Sequence, residues 1–211
     1  TVGPLFPKNV KLNINDYLNN EAYVRQVEEL RARGCRIDIL GSQMHLFNPQ
    51  ECLDLADGKR IGKPVNTPDE IRATMATLAR AGLPLHLSEI TITSPGSDAR
   101  GFEIQAVLAR NLYRTWFSIG PMVAITWWNV VDDCGAPGEP TISGLFTRDM
   151  QPKPSYHALN RLINDEWKTR ATVRAGAGGR VGFRGFKGRY RVTWADAAGV
   201  RQSAEFELAR D

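Results

Sequence analysis

The spacing of apolar residues divides the first 166 residues into alternating short runs of two kinds. Mostly apolar runs predict buried β-strands at residues 10–15, 36–43, 83–92 and 122–130. Between and after them, apolar residues recur every three or four positions, which predicts helices around residues 23–30, 71–78, 104–112 and 155–163. Strands that alternate with helices favour right-handed crossovers and a parallel sheet covered by helices, so we predict an α/β fold.

Local signals support the helix boundaries. Thr67 precedes Pro68 and stands three residues before Glu70, a pattern typical of an N-cap, a proline in the first turn and a capping box. Gly34 and Gly82 follow the last periodic apolar residues of two helices, where glycine favours termination.

The pattern changes to alternation with period two after residue 166. Three short runs each place apolar residues on one face: Val181 and Phe183; Tyr190, Val192 and Trp194; and Ala204, Phe206 and Leu208. Glycines lie at the predicted turns. We therefore predict two domains, an α/β domain at residues 1–166 and a small antiparallel β-module at residues 167–211.

Composition places the chain among ordinary globular proteins, with 42% hydrophobic and 24% charged residues in 211. The charge is uneven: residues 167–211 carry ten Lys or Arg and four Asp or Glu, a net charge of +6, whereas residues 1–166 have a net charge of −2. A basic segment can bind nucleic acid. Because its arginines alternate with aromatic residues in strand-like runs, a solvated strand face is favoured, and we predict no nucleic-acid partner.

The lengths of the apolar runs and the spacing of the cysteines disfavour a membrane-spanning protein and a metal-binding protein. No run of 18 apolar residues occurs, so we expect no membrane-spanning helix. The three cysteines, Cys35, Cys52 and Cys134, show no CxxC spacing, and we predict neither a metal nor a cofactor. One pair could form a disulfide, but free thiols, mostly buried, are favoured.

Polar and aromatic side chains follow the predicted strands where each one ends. They are Asn15, the pair Gln43 and His45, Glu89, and the pair Trp127 and Trp128. The carboxyl ends of parallel strands meet at one edge, where α/β proteins form their sites. Tryptophan faces suit flat sugar rings, and a carboxylate beside a histidine suits an ionised nucleophile. Taken singly, each residue has a structural explanation; their placement on successive strand ends favours a sugar-cleaving site.

Several motifs occur in the order found in one known family: LNINDY, ILGSQMHL, LPLHLSEITI, AITWWNVVDD and SGLFTRDMQPKPSYHAL. Over residues 10–164 the chain resembles the C-terminal half of glycoside hydrolase family 10, the (β/α)8 endo-β-1,4-xylanases. The resemblance implies strands five to eight of a TIM barrel, followed here by the small antiparallel β-module. It also implies β-1,4-xylan or a xylo-oligosaccharide as substrate.

The resemblance assigns a role to each candidate residue. Glu89 matches the catalytic nucleophile, and His45 matches the histidine that orients it by a hydrogen bond. The expected substrate-binding residues are Gln43, Trp128, Asn15 and Trp127. Three positions depart from the family: Thr91 replaces an aspartate, Ser88 a threonine and Ala136 a second tryptophan.

The family's general acid/base motif follows the fourth strand and is absent from this sequence. Of the acids near the predicted site, Asp16 ends a strand two away from Glu89, and the resemblance gives its position a structural role. Nothing around Asp132 and Asp133 marks either as buried. We therefore expect a part of a retaining endo-β-1,4-xylanase that carries the nucleophile, needs an N-terminal half-barrel on the same or another chain, and is inactive on xylan alone. The alternative is a non-catalytic carbohydrate-binding or structural half-barrel. A secreted, periplasmic or cell-surface location is expected, with its signal on the missing N-terminal part.

Overall fold

A computed structural model describes residues 5–63 and 65–209 of the chain. The outer ends of both predicted domains, residues 1–4 and 210–211, lie outside the described residues, as does Pro64. The chain separates into two compact units, Thr1–Leu159 and Asn160–Asp211, and each is described by itself. The division predicted after residue 166 stays a prediction.

The first unit is built on a four-stranded parallel sheet. Its strands lie side by side in chain order: β1 (Asn13–Asp16), β2 (Ile39–Leu46), β3 (Leu85–Ile92) and β4 (Met122–Trp127). Every neighbouring pair is parallel, so the predicted α/β fold with a parallel sheet is confirmed. Within the described part of the chain the sheet is open, with β1 and β4 at its edges.

Helices follow the strands, and the first four begin after a residue whose side chain caps the first turn. They are α1 (Glu21–Ala32), α2 (Pro49–Ala56), α3 (Pro68–Ala79), α4 (Ala99–Phe117) and α5 (Pro154–Arg161). The predicted cap of α3 is present: the Thr67 side chain accepts a hydrogen bond from the backbone N–H of Glu70 at 3.2 Å. The periodicity missed α2, because its eight residues give barely two turns, although Asn48 caps it and a proline opens it.

The core lies between the helices and one face of the sheet. Strands contribute Leu40, Leu85, Leu87, Ile90 and Ile92, and α3 contributes Ile71, Met75 and Leu78, all buried. Burying such a side chain contributes roughly 1.5–3 kcal/mol, so this layer holds the strands in place. It leaves the opposite face free for polar residues.

A row of polar side chains crosses that opposite face. His86 of β3 lies within hydrogen-bond distance of Asn13 of β1 (3.0 Å) and Thr126 of β4 (2.8 Å). The row passes over Gly41 of β2, where an added Cβ would lie 2.5 Å from Asn13 Oδ1 and 2.6 Å from the Ile14 carbonyl oxygen. Glycine is therefore required at this point of β2.

A buried ion pair fixes the segment between β4 and α5. Lys153 Nζ lies 3.0 and 3.1 Å from the two carboxylate oxygens of Asp132, and the Gly144 N–H donates to Asp132 Oδ1 at 2.7 Å. The ammonium also lies 4.8 Å from the centre of the Phe102 ring. The sequence context did not mark Asp132 as buried, but it is 7% exposed. It is paired, so it is not a spare acid.

The second unit contains a π-helical turn, Leu162–Glu166, and a two-stranded antiparallel sheet of β5 (Gly188–Ala195) and β6 (Arg201–Leu208). The run with Val181 and Phe183 was predicted to form a strand but is irregular in the structure. Glycines at positive φ precede it and bend the backbone. Phe183 still belongs to the module, because its ring packs 5.3 Å from Tyr190 and 6.1 Å from Phe206.

Candidate active site

An irregularity in strand pairing explains how Glu89 reaches the polar face of the sheet. The register between β2 and β3 shifts after Ser42, and that between β3 and β4 shifts between Leu87 and Ile90. In a regular strand Ser88 and Glu89 would point to opposite faces, but both are half-buried between buried neighbours. A bulge re-aims side chains, and here it turns the carboxylate out of the core.

The Glu89 carboxylate is surrounded by polar groups from the adjacent strand β2 and from β1, the strand beyond it. Asn15 Nδ2 of β1 donates to Glu89 Oε1 at 2.7 Å, and Gln43 Nε2 of β2 donates to the same oxygen at 3.2 Å. His45 Nε2 lies 3.5 Å from Glu89 Oε2. The structure thus brings together four of the six predicted site residues, and the glutamate side chain is 17% exposed.

A serine fixes the orientation of the asparagine. Ser88 Oγ is hydrogen-bonded to Asn15 Oδ1, and it lies 3.2 Å from the Ser42 carbonyl oxygen. Because the amide oxygen of Asn15 faces this hydroxyl, its NH2 group faces Glu89. The serine that replaces the family's threonine therefore retains a hydroxyl in contact with the site.

His45 is held by contacts on both edges and one face of its ring. Nδ1 lies 3.0 Å from Thr91 Oγ1, and the ring stacks on Phe47 at 4.4 Å. Burial lowers the pKa of His45 below its usual 6.5, and the charge of Glu89 only partly opposes this shift. The ring is therefore assigned as neutral, with Nε2–H donating to Glu89 and Nδ1 accepting from Thr91. A hydroxyl donor thus stands where the family has a carboxylate.

Trp127, the last residue of β4, and Trp128, which follows it, lie in different surroundings. Trp128 is 45% exposed and its ring lies 6.5 Å from His45, at the carboxyl end of the sheet. Trp127 is 8% exposed, donates from Nε1 to the carbonyl oxygens of Asn129 (2.9 Å) and Ser143 (3.1 Å), and packs 6.4 Å from Tyr113 of α4. The predicted sugar contact of Trp127 is not supported by this position, because successive strand residues face opposite sides.

Sequence reasoning missed Glu139, a half-buried carboxylate in the loop after β4. Its Oε1 accepts from Trp128 Nε1 at 3.1 Å, and its Oε2 accepts from Asn129 Nδ2 at 3.0 Å and the Ala136 N–H at 3.2 Å. Burial alone would raise the pKa of Glu139, but these hydrogen bonds outweigh burial and lower it. A single acid among glycines and prolines gave no signal in the sequence.

A cavity of about 570 Å³ opens beside His45 and Gln43. Its wall includes Tyr17, Phe47 and Lys63, so it combines aromatic faces with a cation. Ligand sites commonly have volumes of about 300–1,000 Å³, and this cavity falls within that range.

Metal-ion clusters, disulfides and membrane-spanning helices are absent from the described residues. No group of three or more His, Cys, Asp or Glu suited to a metal ion occurs in residues 5–63 and 65–209. The three thiols are free: Cys52 is buried, Cys35 half-buried and Cys134 exposed. Within the same ranges, the helices are too short or too polar to cross a membrane.

Comparison with known proteins gives the family. Residues 4–162 match the model described as glycosyl hydrolase family 10. Endo-1,4-beta-xylanase A of Thermoanaerobacterium saccharolyticum is 26% identical over 163 residues, 72% of this chain and 12% of that protein. Anti-sigma-I factor RsgI6 of Acetivibrio thermocellus is 25% identical over 184 residues, 87% of this chain and 21% of that protein.

Solved structures agree with this assignment. A mutant of TsXylA, an intracellular xylanase from Thermoanaerobacterium saccharolyticum, in complex with xylotetraose matches with a TM-score of 0.53 and 25% identity over 71% of this chain. A family 10 structure from Paenibacillus barcinonensis matches with a TM-score of 0.52 and 23% identity over 78%. The chain spans 44% and 48% of those two proteins. The chain therefore belongs to glycosyl hydrolase family 10, of whose TIM barrel it represents one part.

Proposed function

We propose that this chain is the C-terminal part of a retaining endo-β-1,4-xylanase in which Glu89 is the nucleophile. The observation that carries the proposal is the Glu89 carboxylate, which is held by Asn15, Gln43 and His45 at the carboxyl ends of parallel strands. These contacts fix its direction while leaving part of it open to a substrate. Positioning of this kind is what a nucleophile requires.

The proposed reaction is a double displacement. A Glu89 oxygen attacks the anomeric carbon of a xylosyl unit, the bond to the leaving oxygen breaks, and a general acid protonates that oxygen. Water then attacks the glycosyl–enzyme ester, transfers a proton to the same group, and frees Glu89. His45 orients the nucleophile as a neutral hydrogen-bond donor, and Trp128 offers an apolar face to the sugar.

The general acid is proposed to lie on a complementary N-terminal half-barrel. Asp132 is ion-paired with Lys153, so it is not free to protonate a leaving group. Asp16 stands on β1, two strands from Glu89 in the sheet. Barrel closure takes eight strands, and the edges of β1 and β4 are where further strands would pair. These strands could stand on the same polypeptide or another. The 211-residue chain alone is expected to be inactive on xylan.

Where the substrate is polymeric xylan, action outside the cytoplasm is part of the proposal, because the polymer is too large to cross a membrane intact; an intracellular xylanase such as TsXylA would act on shorter chains. We therefore expect the whole protein to be secreted, periplasmic or attached to the cell surface.

A non-catalytic carbohydrate-binding protein is the second candidate. The relative named an anti-sigma-I factor matches 87% of this chain, more than the xylanase A relative matches. Thr91 and Ala136 also depart from the family's pattern. Such a protein would use Trp128 and Gln43 to bind a sugar without cleaving it.

Two substrates distinguish these candidates. Aryl β-xylobiosides with activated leaving groups need no proton donor, whereas xylan does. For the 211-residue chain we expect no release of reducing sugar from xylan. We expect slow release of dinitrophenol from dinitrophenyl xylobioside, and the Glu89→Gln variant should lose this release. Aryl release that persists in Glu89→Gln would exclude the nucleophile, and binding without aryl release would favour the second candidate.

A further inference from the structure

A hydrogen bond to Glu139 sets the direction of the Trp128 indole ring. The residue is 45% exposed, so packing alone does not fix its two side-chain torsions. Its backbone N–H donates to the Ile90 carbonyl oxygen at 2.8 Å, which fixes the main chain. The indole Nε1–H donates to Glu139 Oε1 at 3.1 Å. This bond therefore determines which way the ring faces.

Glu139 is itself held in place by hydrogen bonds to its other carboxylate oxygen. Its second oxygen accepts from Asn129 Nδ2 at 3.0 Å and from the Ala136 N–H at 3.2 Å. Asn129 is 7% exposed and also donates to Ser143 Oγ at 3.1 Å. The carboxylate is thus anchored to a buried amide, which a freely moving surface acid would not be.

The loop conformation is adapted to this carboxylate. The Glu139 N–H donates to the Ala136 carbonyl oxygen at 3.0 Å, closing a turn with Pro137 and then Gly138 at φ +90°. At Gly135 an added Cβ would lie 2.8 Å from Glu139 Oε2 and 3.1 Å from Asn129 Nδ2. Glycine at position 135 therefore leaves the space that the carboxylate fills.

We propose that Glu139 is a positioning residue that holds the Trp128 indole in the orientation needed to stack on a xylosyl ring. The inference rests on the proposed function, because it concerns the same sugar site. Glu139 acts through Trp128 and need not touch the substrate.

The first experiment needs no ligand. Indole N–H signals of the five tryptophans are recorded by ¹H–¹⁵N NMR on the full chain, and Trp128→Phe identifies the signal of Trp128. Because its indole donates to a carboxylate, this signal should move when Glu139 titrates below its usual pKa. His45 lies nearby and is also ionisable, so the inflection is assigned with Glu139→Gln, in which it must vanish.

The second experiment measures xylotriose binding by titration calorimetry. Glu139→Ala should weaken binding about fivefold, the net contribution of one hydrogen bond of about 1 kcal/mol. Thr141→Ala, an exposed side chain in the same loop, is the matched control and should bind as the parent chain does. Thermal melting checks that each variant is folded.

The outcomes separate this inference from the proposed function. If the parent chain binds xylotriose and Glu139→Ala binds equally well, the positioning role is wrong and the sugar site stands. If the Trp128 signal shows no inflection that depends on Glu139, the positioning role is also wrong. If the parent chain itself binds no xylotriose, the proposed sugar site fails, and the positioning role fails with it.

Discussion

Replacing Lys153 by methionine should strongly destabilise the first unit, because it leaves a buried carboxylate without its counter-ion. The lysine is 1% exposed, its ammonium lies 3.0 and 3.1 Å from the two oxygens of Asp132, and the Asp132 side chain is 9% exposed. Burial lowers the pKa of Lys153, and the hydrogen bond and charge of Asp132 oppose that shift. Asp132 thus favours the charged form of an ammonium that burial disfavours.

Removing one partner of such a pair costs about 3–5 kcal/mol, a large share of the roughly 5–15 kcal/mol that stabilises a domain. With a urea m-value of about 2 kcal/mol/M, the unfolding midpoint should fall by about 2 M. Methionine keeps most of the apolar contact with Phe102, so the loss reports mainly the charge.

Two further variants isolate the cause. Lys153→Met/Asp132→Asn removes the buried charge and keeps an acceptor for the Gly144 N–H, so it should be more stable than the single variant. Lys59→Met, at an exposed lysine that pairs with Asp54 and Asp57, should leave the midpoint unchanged. A single variant as stable as the parent chain, or a double variant as unstable as the single one, would refute this reasoning.

Two other predictions concern the polar face of the sheet. Burial lowers the pKa of His45 and of His86, so near and below pH 6.5 the unfolded chain binds more protons than the folded chain. The urea midpoint of unfolding should therefore be constant above about pH 7 and fall as the pH drops below it. A midpoint that rises between pH 7 and 6 would contradict this prediction. Gly41→Ala should lower the free energy of unfolding by about 1–3 kcal/mol, because the added Cβ would lie 2.6 Å from the Ile14 carbonyl oxygen. Gly120→Ala is the control, because an added Cβ there would meet no atom within 4 Å. Equal melting temperatures for the two variants would contradict the steric argument.

Periodicity predicted the sheet and most helices because both depend on which positions are apolar. The alternation rule could not place Glu89, because the bulge at Ser88 and Glu89 is set by pairing with neighbouring strands. The same rule could have separated Trp127 from Trp128, since adjacent strand residues face opposite sides. The hydrogen bond between Glu139 and Trp128 could not be predicted, because it depends on how the loop after β4 folds rather than on a repeated sequence pattern.

The second unit shows a different limit of sequence patterns. Alternation predicted three strands, but only the two runs that pair directly, with Tyr190 opposite Phe206, form a sheet. The third run contributes Phe183 to the aromatic cluster without pairing its backbone. Side-chain alternation thus indicated which residues pack together, but it did not determine which runs pair their backbones in a sheet.

The most direct test of the central claim is covalent trapping of the nucleophile. The chain is joined to, or mixed with, four N-terminal βα units of a family 10 xylanase and incubated with dinitrophenyl 2-deoxy-2-fluoro-β-xylobioside. The fluorine slows hydrolysis of the glycosyl–enzyme ester, and dinitrophenolate leaves without a proton. Mass spectrometry should find one fluoroxylobiosyl group on the peptide that contains Glu89, and none in Glu89→Gln. A label on another residue, or a label that persists in Glu89→Gln, would contradict the assignment of Glu89 as the nucleophile.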